Sequence, residues 1–204
     1  MLETHELAAR RGEATLFRRL NFKVPVGKAM VVTGPNGTGK TTLLRILAGL
    51  TLPAGGEVSW RGKRLPPHAA TLRQEAVFAG HLPALKDELT AQENLRLLVS
   101  LAGERATDAQ LRGALAEVAL EEKRQLPARV LSAGQRRRIG LARLALLPRP
   151  LWLLDEPATA LDAPGLALLG RVLVKHLKAG GLAIAATHQP LELPDEFQER
   201  LVLS

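Results

Sequence analysis

Hydrophobic positions follow two different periods along the chain, and this division predicts the order of its elements. Residues 2 to 8, Leu20 to Val26 and Ala29 to Thr33 have the length and apolar content of short strands, and a polar turn, AARRGEAT, is expected to separate the first two. Another strand is expected to end near Trp60, which we assign to the core. From Ala84 to about Leu147, leucine and alanine recur at i, i+3 and i+4 spacings, which predicts helices.

Strand-like and helix-like segments alternate in the C-terminal part. Strands are predicted at Leu151 to Leu154, Leu182 to Ala186 and Arg200 to Leu203, with a helix from about Pro164 to Lys178. Such alternation favours a mainly parallel sheet. The predicted fold class is therefore α/β: a mainly parallel sheet, an antiparallel β lead-in and a helical subdomain. We expect one domain over residues 1–204, with a core at about 1–83 and 148–204 and the helical subdomain at about 84–147.

The segment AMVVTGPNGTGKTTLLRIL joins a buried strand to a helix through a glycine-rich turn. Gly34, Gly39, Lys40 and Thr41 satisfy G-x-x-x-x-G-K-S/T, the pattern of a phosphate-binding loop. Glycines let backbone N–H groups turn toward an anion, Lys40 would reach the β- and γ-phosphates, and the Thr41 hydroxyl would bind Mg²⁺. A plain glycine turn is the alternative. The predicted nucleotide-binding residues here are Gly34, Pro35, Asn36, Gly37, Thr38, Gly39, Lys40, Thr41 and Thr42.

LWLLDEP, residues 151–157, is an apolar strand that ends in two carboxylates. In a parallel sheet this strand would bring Asp155 and Glu156 to the edge where the phosphate loop lies. Asp155 would then hold Mg²⁺ through a water molecule, and Glu156 would orient or deprotonate an attacking water. A helix-capping acidic pair is the alternative interpretation.

With these motifs the chain resembles the ATP-binding-cassette (ABC) ATPases. LSAGQ at residues 131–135 is similar to the family's LSGGQ, TALD at residues 159–162 resembles its D-loop, and THQ at residues 187–189 stands at the place of its switch histidine. The resemblance implies a head-to-tail dimer with two ATP molecules between the subunits. Residues of one subunit would close over the γ-phosphate held by Lys40 of the other. It assigns His188 to catalysis and adds four nucleotide-site residues, Ser132, Gly134, Gln135 and Asp162.

Two positions depart from the family pattern. Relatives stack adenine on an aromatic residue, often tyrosine, whereas this chain has no tyrosine and has Arg11 at the corresponding place. A guanidinium can stack on a base, so we assign adenine to Arg11, with Phe17 as a less favoured alternative because it is expected in the core. His81 replaces the Q-loop glutamine. We include His81 among nucleotide and metal ligands, although imidazole suits Mg²⁺ poorly and could instead bond a water or contact the membrane partner.

These departures, with ATHQPL and the short length, make the chain similar to the ATP-binding subunits of the haem exporter of cytochrome c maturation. That resemblance implies an ATP hydrolase bound to integral-membrane subunits, on the cytoplasmic side of the inner membrane. Haem is not expected to bind this chain directly, because C-x-x-C-H is missing and the five histidines are scattered. The alternatives are an exporter of a drug, lipid or metal, and, in another class, a nucleic-acid or ribosome-associated ATPase.

Composition changes this picture little. The absence of cysteine excludes disulfides, thiolate metal sites and cysteine nucleophiles. A formal charge of +8 fits a nucleic-acid partner, an anionic membrane surface or an arginine-rich proteome, and we favour the last. The three arginines after LSAGQ do not form one helical stripe, which argues against the nucleic-acid class. No apolar tract approaches the ~20 residues of a spanning helix, and no signal peptide is visible, so we expect a soluble domain.

Overall fold

The computed structural model describes residues 1–66, 70–81 and 84–204, and within them it confirms the predicted α/β class. The predicted domain boundary at residue 83 lies outside the described residues. The strands are β1 (Leu2–Arg11), β2 (Ala14–Val24), β3 (Ala29–Thr33), β4 (Gly55–Trp60), β5 (Lys63–Leu65), β6 (Ala76–Ala79), β7 (Leu151–Asp155), β8 (Leu182–Ala186) and β9 (Gln198–Val202). The helices are α1 (Lys40–Leu47), α2 (Ala70–Glu75), α3 (Ala91–Leu101), α4 (Asp108–Glu117), α5 (Ala133–Leu146) and α6 (Ala163–Lys178), with short 3₁₀ turns at Glu121–Lys123, Ala128–Val130 and Asp195–Phe197.

The central sheet is parallel throughout, in the order β6-β7-β8-β3-β9. Its inner strands β7 and β8 are buried at every position. Side chains alternate between two cores: Val32 and Ile184 face one side of the sheet, while Val31 and Ala185 face the other. The strands are continuously apolar because both faces of the sheet are covered.

Helix α1 packs between the central sheet and a four-stranded antiparallel sheet of order β2-β1-β4-β5. Helices α3, α4, α5 and α6 cover the opposite face. Trp60 is 4% exposed and belongs to the core around α1, as predicted. The phosphate loop at the N-terminus of α1 therefore lies where the two sheets meet.

The first hairpin differs from the prediction. We expected a long polar turn, but β1 continues to Arg11 and β2 begins at Ala14, so the turn contains only Gly12 and Glu13. Gly12 has φ 59°, a left-handed conformation that glycine adopts without strain. The polar residues were misinterpreted because one face of this antiparallel sheet is open to water and carries their side chains.

The N-termini of α3, α4 and α5 share one capping arrangement. Each begins after a threonine or serine whose hydroxyl accepts from the backbone N–H three residues later, and the Glu or Gln there accepts from the N-cap N–H in return. Asn94 of α3 is fully buried: its amide donates to the carbonyls of Lys86, Leu89 and Thr90 and its Oδ1 accepts from Lys86 N. The segment before α3 is thus fixed by side-chain bonds. None of the helices in the described residues is long and apolar enough to cross a membrane.

His176 of α6 stacks on Trp152 of β7, with ring centroids 3.7 Å apart and ring planes 6° apart. The His176 Nε2 lies 3.2 Å from the carbonyl oxygen of Leu182. Burial lowers the pKa of His176 below its ordinary value of 6.5, and backbone hydrogen bonds to Leu182 and Pro150 offset part of this effect. The ring is therefore held neutral against Trp152.

We expect this histidine to make the free energy of unfolding depend on pH. Because the pKa is lower in the folded state, the unfolded chain binds the proton first as pH falls. Stability should therefore decrease from about pH 7 toward about pH 5, and His176→Gln should flatten this slope. Denaturant titrations at several pH values measure it, with His5→Gln, at an exposed position of β1, as the matched control. An unchanged slope in His176→Gln would contradict the assignment.

Candidate functional site

The loop between β3 and α1 is shaped by glycines in positive-φ conformations. Gly34 has φ 140°, and a Cβ there would lie 2.1 Å from the carbonyl oxygen of Leu203. Gly39 has φ 100°, and a Cβ there would lie 3.0 to 3.2 Å from Leu16 and Phe17. Both positions therefore require glycine for conformation and for space. The resulting turn leads directly into the positive end of α1.

Lys40, the first residue of α1, is 8% exposed and folds back along this loop. Its Nζ donates to the carbonyl oxygens of Gly34, at 2.7 Å, and Pro35, at 3.0 Å. The ammonium group is thus held at the loop by backbone acceptors. A phosphate bound there would meet a cation that is already in place.

Thr41 and Asp155 come together from α1 and the end of β7. The Thr41 hydroxyl donates to the Asp155 carboxylate, whose Oδ1 and Oδ2 lie 3.1 Å and 3.0 Å away. Asp155 is only 6% exposed. A hydroxyl and a carboxylate are oxygen ligands of the kind that Mg²⁺ prefers. In the described part of the chain no three His, Asp or Glu side chains gather into a metal cluster.

Glu156 has a backbone conformation that non-glycine residues rarely adopt, with φ 49°. Its N–H donates to the Ala186 carbonyl at 2.8 Å, which ties this turn to the end of β8. The His188 N–H lies 3.4 Å from Glu156 Oε2, and the His188 Nε2 lies 3.6 Å from Glu156 Oε1 and 2.8 Å from Asn36 Oδ1. The carboxylate, the imidazole and the phosphate loop thus form one connected group.

These residues line a cleft of about 260 Å³. Most of the predicted residues of the phosphate loop and the strand ends contribute to it, and Arg11 and Leu16 extend it toward the first hairpin. Phe17 is 7% exposed and packs behind the loop, as expected of a core residue. The described lining residues are Arg11, Leu16, Asn36, Gly37, Gly39, Lys40, Thr41, Thr42, Asp155, Glu156 and His188.

His81 is not among these lining residues. Its side chain is exposed, and its carbonyl oxygen accepts a hydrogen bond from Arg137 Nη1 at 2.8 Å. The structure therefore gives the His81 imidazole no contact with Thr41 or Asp155 among the described residues. Its part in nucleotide or metal binding stays a prediction, and so does its contact with a membrane partner.

Residues of LSAGQ form the start of α5, away from the cleft of their own chain. Ser132 is exposed and caps the helix: its hydroxyl accepts from Gln135 N at 3.2 Å, and Gln135 Oε1 accepts from Ser132 N at 3.1 Å. Gly134 packs against Ala160, whose carbonyl oxygen would lie 2.8 Å from a Cβ at this position. The structure thus does not bring this element to Lys40 within one chain.

Asp162 caps α6 and is paired inside its own chain. Its Oδ1 accepts from Arg138 Nη2 at 2.7 Å and from Gly165 N at 3.0 Å. The hydrogen bond from the Arg138 side chain, followed by the one from Gly165, lowers the pKa of Asp162. The side chain is therefore a carboxylate that joins α5 to the start of α6.

Arg137 lies outside the cleft but bonds to the backbone of two of its lining residues, a role that was not predicted from the sequence. It is 7% exposed, and its guanidinium donates to the backbone carbonyls of five residues. The sequence did contain a sign of its burial, because Arg137 lies on one helical face with the buried Leu141 and Leu144, at i, i+4 and i+7. The partners of Arg137 are Gly80, His81, Asp155, Glu156 and Pro157.

Comparisons with known proteins agree with this geometry. The family described as "ABC transporter" matches residues 17–159. A cytochrome c biogenesis ATP-binding export protein, CcmA, from Nitrosomonas europaea is 46% identical over 204 residues, which is all of this chain and 96% of that protein.

Solved structures share the fold. A putative ABC transporter ATP-binding protein from Pyrococcus furiosus superposes with a TM-score of 0.84 at 24% identity, over 98% of this chain and 96% of that one. An ATP-binding cassette solved as a dimer in a post-hydrolysis state, with ADP and Pi, has a TM-score of 0.76 at 24% identity, over 93% and 88% of the two chains. By its family match over residues 17–159 and its 46% identity to CcmA over the whole chain, this chain belongs to the ABC transporter family and, within it, to the cytochrome c biogenesis ATP-binding export proteins.

Proposed function

We propose that this ABC ATPase hydrolyses ATP with Glu156 as general base, and that hydrolysis drives haem export for cytochrome c biogenesis through integral-membrane subunits. The observation that carries the catalytic part is the connected group of Glu156, His188 and Asn36 beside the Lys40 loop. The name of the Nitrosomonas europaea relative supports the assignment to export in cytochrome c biogenesis. Haem would pass through these membrane subunits and not through this chain.

The loop and the lysine would bind the phosphates of ATP. Backbone N–H groups around Gly37 and Gly39 and the N-terminus of α1 supply partial positive charge, and Lys40 supplies a full one. The ammonium group would exchange the carbonyls of Gly34 and Pro35 for β- and γ-phosphate oxygens. Arg11, which lines the same cleft, would lay its guanidinium plane on the adenine.

Thr41 and Asp155 are the residues that would hold Mg²⁺. When bound, the ion neutralises charge on the β- and γ-phosphates as that charge develops in the transition state. Asp155 is fixed for this role by the end of a buried strand and by its hydrogen bonds to Thr41. We expect Asp155 to act through a water molecule and Thr41 through its hydroxyl.

Glu156 would accept a proton from the water that attacks the γ-phosphorus. As the new P–O bond forms, the bond from the γ-phosphorus to the bridging oxygen breaks and ADP leaves. His188, which contacts both Glu156 and Asn36, would hold the γ-phosphate and the water in line. This role is one of positioning and charge stabilisation, as expected for phosphoryl transfer.

LSAGQ would complete the site of a second copy of the chain. Ser132 is exposed and lies outside its own cleft, so it is available to another subunit. A head-to-tail dimer would place Ser132 and the N–H groups at Gly134 and Gln135 on the γ-phosphate held by Lys40 of the partner. The cassette solved as a dimer with ADP and Pi supports such an assembly.

A nucleic-acid function is less well supported, because the arginines after LSAGQ do not form a basic surface. Arg136 pairs with Asp87 at 2.6 Å, Arg137 is buried, and Arg138 pairs with Asp162. Their charges are thus directed to three different places. As a subunit bound to integral-membrane partners, the protein would lie peripherally on the cytoplasmic face of the cell membrane.

Glu156→Gln should bind ATP with near-normal affinity but hydrolyse it about 10²-fold to 10⁴-fold more slowly, because the amide cannot accept the proton. Lys40→Ala should lose ATP binding itself. Phosphate release and a binding titration measure the two effects, and Glu192→Gln, at an exposed position, is the control. Normal turnover in Glu156→Gln would exclude Glu156 as the base.

Thr41 offers a matched pair of variants for the metal site. Thr41→Ser keeps the hydroxyl and should need about the same Mg²⁺ concentration for half-maximal hydrolysis, whereas Thr41→Val should need about tenfold more. Asp155→Asn should behave like Thr41→Val. A Mg²⁺ titration of ATPase rate tests this, and equal requirements in the serine and valine variants would remove Thr41 from the metal site.

The transport assignment can be tested in gently solubilised membranes of the source organism. Glu156→Gln protein trapped with ATP is purified and its co-purifying chains are identified by mass spectrometry, with Lys40→Ala as control. We expect membrane subunits of cytochrome c maturation to be retained only with Glu156→Gln. Another permease would keep the ATPase and change the cargo, whereas ribosomal proteins or nucleic acid would overturn transport.

A further inference from the structure

The guanidinium of Arg137 joins the ends of two neighbouring strands of the central sheet. Its Nη1 donates to the carbonyls of Gly80 and His81, at 3.0 Å and 2.8 Å, just after β6. Its Nη2 donates to the carbonyls of Asp155 and Glu156, at 3.0 Å and 2.6 Å, at the end of β7. The Nε, 3.4 Å from the Pro157 carbonyl, completes a set in which all three nitrogens are used.

This set of bonds includes the one strained residue assigned to catalysis. Glu156 has φ 49°, a left-handed conformation that costs a non-glycine residue of order 1 to 3 kcal/mol unless its surroundings hold it. Three bonds hold its backbone: the Glu156 N–H donates to Ala186, and the Glu156 carbonyl accepts from Arg137 Nη2 at 2.6 Å and from the Thr159 N–H at 3.2 Å. The bond from Arg137 is the shorter of the two at the carbonyl and the only one of the three made by a side chain. The backbone direction at Glu156 determines where its carboxylate can reach. By holding this backbone, Arg137 also affects the distance between the Glu156 carboxylate and the His188 imidazole.

Electrostatics favour keeping this arginine charged. Burial lowers the pKa of Arg137, while the charges of Asp155 and Glu156 raise it. Arginine stays protonated in proteins, so a buried cation lies behind the two carboxylates. Arg137 touches their backbone carbonyls and not the cleft, which is lined by other residues.

We infer that Arg137 is a positioning residue for hydrolysis, which holds Glu156 in its left-handed conformation and so aims the catalytic carboxylate. This inference rests on the proposed role of Glu156 as general base. Lysine could not replace it, because an ammonium is a point donor with three N–H groups, whereas the guanidinium fork spans the two strand ends. Arg137 is not itself a catalytic residue.

A purely structural arginine would give a different result from a positioning one. Loss of a structural bond would lower the melting temperature and leave the turnover of the remaining folded protein intact. Loss of positioning would lower kcat in folded protein and leave ATP affinity unchanged, because Lys40 and its loop do not contact Arg137 in the described structure. The two roles are separable by measuring kcat and ATP affinity below the melting temperature.

The experiment compares Arg137→Lys and Arg137→Met with wild type, with Arg136→Lys as the matched control. Arg136 is the preceding residue of α5 and makes a surface ion pair with Asp87, which lysine can also make. We expect kcat to fall about tenfold or more in both Arg137 variants, with the ATP dissociation constant within about threefold. Arg136→Lys should keep wild-type turnover. If Arg137→Met does not fold, Arg137→Gln takes its place.

A double-mutant cycle with Glu156→Gln makes the test specific. If Arg137 acts through the Glu156 carboxylate, Arg137→Lys should cause no further loss of single-turnover rate in a Glu156→Gln protein. Multiplied losses, or a normal kcat in Arg137→Lys, would overturn the inference. Wild-type protein that binds ATP without hydrolysing it would instead refute the proposed function.

Discussion

The parallel pairing of β6, β7, β8 and β3 is the constraint on which the rest of the molecule depends. Parallel strands end at the same edge of a sheet, so pairing alone brings Thr33, Asp155 and Ala186 to one place. The phosphate loop, the pair Asp155 and Glu156, and His188 all lie at or just after these strand ends, whereas Arg11 and LSAGQ come from other parts of the fold. The two cores that bury the sheet therefore also fix the site, since a slip of one residue in register would move every packed side chain of a strand into the opposite core.

Several parts of this arrangement could be predicted from the sequence because they rest on local chemistry. Gly34 and Gly39 mark a turn that other residues would strain, and Lys40 and Thr41 stand at fixed positions after it. The apolar run before Asp155 predicts a buried strand whatever surrounds it. The proximity of Asp155 and Thr41 followed from sheet geometry, and their hydrogen bonds confirm it.

Other parts depend on tertiary contacts that a single sequence does not display. The end of β1 at Arg11 and the start of β2 at Ala14 were missed because their polar residues lie on an open sheet face. Helix α2 is short, and its six residues carry no clear period. Arg137 was treated only as one of three arginines that form no single helical stripe. Its helical spacing from Leu141 and Leu144 indicated burial, but only the fold reveals five carbonyls converging on its position. These carbonyls come together around the Arg137 guanidinium only when β6 and β7 pair in the folded sheet.

The close contact between Gly134 and Ala160 has a consequence for how variants of LSAGQ are interpreted. Any side chain at Gly134 would press on the Ala160 carbonyl within the same subunit, since its Cβ would lie 2.8 Å away. If a Gly134 variant is inactive, the loss of activity therefore does not show whether the substitution disturbed the fold of the subunit or the contact between subunits. Ser132 is exposed and free of such contact, although it caps α5. Threonine at this position would keep the cap and alter the outward surface, so Ser132 is the better place to probe assembly genetically.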